Sequence, residues 1–390
     1  MKIKIILAIA LSSALALFAP GSMWGQGPLA PPAPPAPTMK TLQQVEPRTQ
    51  ITNTAAVTIS QSGSYYLTGN ITVTNGNAVT ITADSVTIDL NGFTVFSTEA
   101  SPSGSGILLS GVRSDIHIFN GHIRGNVTEA GGAYAGSGFA SGISASATPQ
   151  NVLVSRVSVS GCLDDGINLV AGNSTVVESA TVHTVGGHGI IASTIRSSAA
   201  FDCGNTAIGG DQVSDCRGQC VNAGNGVTAT TAQNCYGSSN SGDGMYVLMG
   251  QNCYGASVSG FGVHAVYTAS NCGGYVSGSS WGVNAFVANN CYGVNAGNGI
   301  GLLADVANNC YGEVDGNGTG LNFQACGINC YGLAQGSGPG LDGATVGAIA
   351  IGCRGISVSG VGLTTYIANS SFGTSNNFYS VSAAYKYNMP

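Results

Sequence analysis

From about Gly63 onward, apolar and polar residues alternate over stretches of four or five positions, and Gly and Asn break the stretches apart. A period of two belongs to a strand with one buried face, and no face of period 3.6 competes for the same residues. In the second half the alternation locks to a repeat. Asn234-Cys235-Tyr236-Gly237 returns as Asn252-Cys253-Tyr254-Gly255, Asn290-Cys291-Tyr292-Gly293, Asn309-Cys310-Tyr311-Gly312 and Asn329-Cys330-Tyr331-Gly332, with degenerate copies at Cys216, Cys272 and Cys353. Successive cysteines lie 19, 18, 19, 19, 19, 20 and 23 residues apart. A second ladder, Gly followed by an aliphatic residue or Met, runs half a repeat out of phase through Gly226-Val227, Gly244-Met245, Gly262-Val263, Gly282-Val283, Gly301-Leu302, Gly320-Leu321, Gly340-Leu341 and Gly362-Leu363.

Such a period predicts a solenoid in which each repeat is one coil. The expected fold is all-β: a single-stranded, right-handed parallel β-helix of 18 to 23 residues per coil. A left-handed β-helix is the alternative, against which stands the absence of an aliphatic-Gly hexapeptide period. Short strands cannot bury an inner face alone, so each coil must stack on its neighbours. Strict alternation would turn Leu302, Ala304, Val306 and Cys310 inward and Leu303, Asp305, Ala307 and Tyr311 outward. The matching inward sets are Val283, Ala285, Val287, Cys291 and Met245, Val247, Met249, Cys253. The first half has longer coils and larger aliphatics, as in Val86, Ile88 and Leu90 before Asn91-Gly92. About 15 coils between Tyr65 and Gly373 would make a rod on the order of 70 Å long at the usual strand spacing.

The expected organisation is a signal peptide over 1–25, a Pro-rich linker and amino-terminal cap over 26–62, the β-helix over 63–373 with its Cys-Tyr-Gly section at 215–373, and a carboxy-terminal cap over 374–390. Lys2 and Lys4 precede an apolar run from Ile5 to Phe18, the layout of an export leader. The chain is therefore expected outside the cytoplasm: extracellular, at the cell surface or in the periplasm. After the leader no apolar run is long enough to span a bilayer. Met39 to Val45 and Phe378 to Tyr387 are the segments available to cover the two sheet ends.

Composition narrows the partners. Glycine makes up 60 of 390 residues, charged residues 7%, and no Lys occurs between Lys40 and Lys386. A nucleic-acid partner requires a clustered basic face, which this chain does not offer. Twelve cysteines in an exported chain invite disulfides. Ladder neighbours, however, stand at the strand separation, farther apart than the 3.5–4.5 Å that bridged Cβ atoms prefer, which favours stacked free thiols.

The runs Gly63-Ser64-Tyr65-Tyr66-Leu67-Thr68-Gly69-Asn70, Val86-Thr87-Ile88-Asp89-Leu90-Asn91-Gly92-Phe93 and Ile118-Phe119-Asn120-Gly121-His122-Ile123-Arg124-Gly125 resemble bacterial right-handed parallel β-helix repeat proteins of the pectin-lyase-like superfamily. The resemblance covers Gly63 to Gly189 and implies a fold. Members include lyases, hydrolases, epimerases and non-catalytic surface proteins, so it does not fix an activity. Asp164-Asp165-Gly166 followed by Gly187-His188-Gly189 is similar to two motifs of the polygalacturonase family, whose inverting mechanism needs one carboxylic acid and one carboxylate across the scissile bond. By that resemblance Asp164 and Asp165 are the candidate catalytic acids, with His188 beside them. The family's further Asp one coil earlier and its Arg-Ile-Lys clamp have no counterpart here. The tyrosine ladder, Tyr236, Tyr254, Tyr292, Tyr311 and Tyr331, is the candidate sugar-binding surface, although rings repeating at strand spacing cover one another's faces. No metal or other cofactor is implied. The sequence thus points to a secreted β-helical structural or glycan-interacting protein whose partner is an extracellular polysaccharide or surface component. A polysaccharide-active hydrolase or lyase is the alternative.

Overall fold

The computed structural model describes residues 46–389 apart from Asn53, Ala171, Gly172, Ala344 and Asn377. The expected leader, most of the Pro-rich stretch and the cap at Met39 to Val45 lie outside the described residues. Arg48–Pro390 forms one compact unit. It is all-β: 38 strands join in one continuous sheet that winds as a parallel β-solenoid of about 18 turns, with about 19 residues per turn. Trp281–Asn289, Ile300–Asn308 and Thr319–Ile328 show the stacking, with Val283 beside Leu302 beside Leu321 and Ala285 beside Ala304 beside Phe323.

The alternation slips once in every coil. Leu302, Ala304, Ala307 and Cys310 face inward and are almost fully buried, whereas Val306 points outward beside Asp305. Val287 and Met249 likewise face out, Met249 being 46% exposed. The expected inward positions of Val306, Val287 and Met249, and the expected outward position of Ala307, are therefore corrected. The long strand turns a corner between Ala304 and Ala307, and two successive residues on the outside of that corner displace the period by one. Register shifts between neighbouring coils fall at the same corner.

A second corner precedes each cysteine. Asn234, Asn252, Asn271, Asn290, Asn309 and Asn329 all adopt φ of 51–53°, the left-handed region that Asn tolerates better than most residues. Their carboxamides form a ladder: Asn252 donates to Asn234 at 3.2 Å, Asn271 to Asn252 at 3.1 Å and Asn290 to Asn271 at 3.2 Å. The corner leaves a carbonyl near each thiol, and the Cys235, Cys253, Cys272 and Cys291 Sγ–H groups donate to the carbonyl two residues back at 3.1–3.3 Å. Cys291, Cys310 and Cys330 also reach a carbonyl of the preceding coil at 3.2–3.3 Å. Cysteine is thus small enough for the corner and still a weak donor, which Ala is not. Ser198 and Ser371 close the column at its two ends with the same bond, at 2.8 and 3.0 Å.

The core is narrow because the coil's own walls touch. A Cβ on Gly237, Gly255, Gly293 or Gly312 would run into the backbone carbonyl of Gly244, Gly262, Gly301 or Gly320 across the coil. The two glycine ladders of the sequence are one backbone-to-backbone contact. All twelve cysteines are unpaired, eleven of them buried.

The stack extends beyond the span of Gly63 to Gly373 at both ends. Thr49–Ile51 and Val57–Ile59 pair in parallel with Gly63–Leu67 and Val79–Ile81, their Ile51 and Ile59 side chains continuing the core. Val381–Tyr387 pairs in parallel with Leu363–Asn369, so the aromatic tail is itself the last rung. Tyr385 and Tyr387 continue the outward positions of Ile367 and Asn369 and are 50% and 55% exposed.

Candidate functional site

Asp165 sits in the turn between two faces of its coil, where both carboxylate oxygens have partners. Oδ1 accepts the His188 backbone N–H of the next coil at 2.8 Å, and Oδ2 accepts Asn168 Nδ2 at 2.7 Å. The first of these bonds recurs along the stack: Asn77 accepts Ser105 N–H, Asn225 accepts Asp243 N–H and Asp243 accepts Phe261 N–H, all at 2.8–2.9 Å. In these coils a carboxylate or carboxamide at the turn ties one coil to the following one, and Asp165 makes that tie here. Asp164 is exposed, and its backbone, not its side chain, carries the turn bonds. The His188 ring contacts Asn205 at 3.3 Å through Nε2, while Nδ1 is buried without a partner. Asp165 and His188 are therefore neighbours through the backbone, and among the described residues no Arg or Lys bonds to Asp164, Asp165 or His188. Among the described residues no group of three or more His, Cys, Asp or Glu side chains is placed to hold a metal ion.

The tyrosines share one outward column. It runs Thr181, Ala199, Arg217, Tyr236, Tyr254, Gly273, Tyr292, Tyr311, Tyr331, Arg354 and Phe372 in successive coils. Tyr236 stacks on Tyr254 with centroids 5.7 Å apart, Tyr292 on Tyr311 at 5.0 Å and Tyr311 on Tyr331 at 5.2 Å, with planes inclined by 11–14°. Tyr311 also donates its hydroxyl to Glu313 at 2.9 Å. Burial and that carboxylate push the Tyr311 phenol up. Burial likewise raises Tyr254 and Tyr292.

Below Arg217 the column narrows to the small residues Ala199 and Thr181, and a groove opens along the asparagine corner. A hollow of about 870 Å³ is lined by Ser179, Thr181, Ala199, Asp215, Arg217, Asn234, Tyr236 and Tyr254 among others. A second, of about 300 Å³, shares Ser179 and Thr181 with it and continues past Arg156, Ser158 and His122 to Gly92. Arg217 lies over the Tyr236 ring at 4.8 Å and the Phe201 ring at 5.6 Å, and Arg156 over Phe119 at 5.6 Å. Neither guanidinium has a carboxylate partner within the described residues, and both side chains are exposed. Aromatic faces thus hold two cations without neutralising them.

Sequence reasoning missed these arginines. The available signal was register: Arg217 follows Cys216 as Tyr236 follows Cys235. It also missed the excursion in which Thr128–Ala130 and Ala133–Ala135 pair as an antiparallel hairpin. That hairpin is strapped across later coils by Tyr134 donating to the Asp202 carbonyl and Asn222 donating to the Gly132 carbonyl, both at 2.9 Å. Its signal was Gly131-Gly132 between two short segments.

No family model matches the sequence, and no curated protein matches it. Among solved structures it is similar to tailspike protein 2 of the Escherichia coli O157:H7 bacteriophage CAB120, at 14% identity and a TM-score of 0.22, over 68% of this chain and 39% of that one. The chain therefore spans about two fifths of the tailspike's length, and a likeness at that level informs neither site nor activity.

Proposed function

We propose that this chain is an exported β-helical protein that binds an extended acidic polysaccharide along its asparagine corner, without cleaving it. The observation that supports this is the groove from Gly92 to Tyr254, floored mainly by small hydroxyl and carboxamide side chains and carrying the guanidiniums of Arg156 and Arg217, against one carboxylate, that of Asp215, which accepts from Asn234. Arginine matches a carboxylate with paired donors, and a shallow polar groove suits a polymer that keeps much of its hydration. Asp165 is already engaged by two structural hydrogen bonds, which favours binding over hydrolysis. The right-handed sense and the pectin-lyase-like kinship belong to the same reading. They rest on the strong handedness of parallel β-crossovers and on the residues quoted between Gly63 and Gly189. Export rests on the amino-terminal leader.

The test is affinity electrophoresis and calorimetry with polygalacturonate, together with a reducing-end assay. The parent should bind, an Arg156→Ala/Arg217→Ala variant should bind at least tenfold more weakly, and reducing ends should not accumulate. Unchanged binding by the double variant would refute the groove. Release of reducing ends that disappears in Asp165→Asn would establish a polysaccharide-cleaving enzyme instead, a hydrolase if no unsaturated, ultraviolet-absorbing ends form and a lyase if they do.

A further inference from the structure

The tyrosine column is broken at one rung. The coil at Cys272 reads Cys-Gly-Gly-Tyr where its neighbours read Cys-Tyr-Gly, so the ring moves two positions along the strand, from 273 to 275. Gly273 lies in register between Tyr254 below and Tyr292 above, and Tyr275 lies in the adjacent outward column between Ala256 and Val294. Three phenols therefore surround a rung that has no side chain. They are also the exposed members of the set, at 41% for Tyr254, 38% for Tyr275 and 47% for Tyr292, while Tyr236, Tyr311 and Tyr331 are half-buried. Their hydroxyls have no partner within the described residues, whereas that of Tyr311 is bonded to Glu313.

We propose that this vacancy is a binding slot for a single uncharged pyranose ring, held between the faces of Tyr254 and Tyr292 with Tyr275 at its side. The proposal rests on the glycan-binding reading and assigns it a second, chemically distinct subsite. With Tyr254 upright, two strand spacings would separate the rings that flank Gly273, roughly 9.6 Å, so a ring inserted by displacing the leaning Tyr254 would sit about 4.8 Å from each, close to the 5.0–5.7 Å of the intact stacks. A pyranose chair, thicker than a flat ring, fills that separation, and its axial C–H groups meet the negative faces of two phenols. The three free hydroxyls at the rim supply hydrogen bonds to sugar hydroxyls. Charge argues against an acidic sugar here: Glu313 and Asp315 both act on Tyr292, and no Arg stands between Arg217 and Arg354 in the column.

Tyr254 leans toward the empty rung. Its separation from Tyr236 is the widest of the stacked pairs, and its Cδ2 lies 2.8 Å from where a Cβ on residue 273 would stand. An incoming ring returns Tyr254 to its neighbour. The same movement makes room for a tyrosine at 273, whose φ is not in the left-handed region. Gly273→Tyr thus restores the repeat and fills the slot without disturbing the coil.

The experiment is calorimetric titration of the parent, Gly273→Tyr and Tyr292→Ala with cellohexaose, maltohexaose and mannohexaose as neutral probes and hexagalacturonate as the acidic one. At least one neutral probe should bind the parent, and both variants should weaken it tenfold or more. Gly273→Tyr should keep the parent's thermal transition or raise it. Its affinity for hexagalacturonate should stay within about twofold of the parent's, because Arg156 and Arg217 are untouched and only Tyr254, at the upper end of the groove, moves. Equal neutral-sugar affinity in Gly273→Tyr and parent, or no neutral binding by the parent, would overturn the slot. Loss of hexagalacturonate binding in Arg156→Ala/Arg217→Ala is independent of residue 273, so the slot and the groove fail separately.

Discussion

At the scale of single residues the cysteine column shows how a corner selects its side chain. A left-handed Asn turns the chain, and the thiol that follows fills the corner and donates to the carbonyls the turn exposes. Burial pushes the thiol of Cys216, at the foot of the column, up to about 11, and that of Cys162, in a separate buried column, up to about 12; along the column burial acts to raise every thiol, while hydrogen bonds from neighbouring thiols act to lower Cys253, Cys310 and Cys353. A folded-state pKa above the ordinary thiol value of about 8.5 stabilises the fold fully below that value. The contribution is lost as pH rises through 9 toward 11–12, where unfolded thiols have ionised and folded ones have not. The urea midpoint, measured under reductant, should therefore be level from pH 7 to 8 and fall above about pH 9. In the native protein at pH 8, Cys326, the half-buried one, should label first with a thiol reagent and the other eleven only after denaturation. A midpoint level through pH 11, or early labelling of the ladder, would contradict the buried-thiol column.

At the scale of the strand, sequence and structure agree where the period is local and part where it depends on a corner. The Cys and Gly ladders were legible because each coil repeats both at the same interval, and they gave the right coil length and parallel stacking. Val306, Val287 and Met249 were misplaced because alternation carries no mark of a bend. Ala307 and Val306 are both apolar, so composition could not choose between them. The groove was illegible for a related reason: it exists only once Arg217 and Ala199 are set in register with the tyrosines, and coils below Cys216 vary in length. The corner itself can be checked with two charges. Val306→Asp should cost under about 1 kcal/mol, as a surface change, while Ala307→Asp, one residue on, places an unpaired carboxylate in the core and should cost several kcal/mol or prevent folding. Comparable losses in urea denaturation would mean that the strand does not slip there.

At the scale of the whole molecule the coil is the unit from which core, corner ladder and tyrosine column are all built. In the Cys-Tyr-Gly section strands such as Trp281–Asn289 and Tyr292–Asn295 pair with counterparts 19 residues on, so stability comes from contacts between neighbouring coils and a complete coil is dispensable. Removing Asn290 through Asn308 joins Asn289 to Asn309, sets Tyr311 where Tyr292 stood and leaves every column in register. Removing only Asn290 through Asn298 places turn residues beneath strand residues and drives the wrong side chains into a core with no room for them. The most direct measurement is the thermal transition, followed by far-ultraviolet circular dichroism, of both deletions beside the parent. The full-coil deletion should keep a cooperative transition and the parent's β-sheet spectrum, and the half-coil deletion should lose both. Equal damage from the two would contradict the coil as the structural unit, and with it the columns on which the groove and the slot depend.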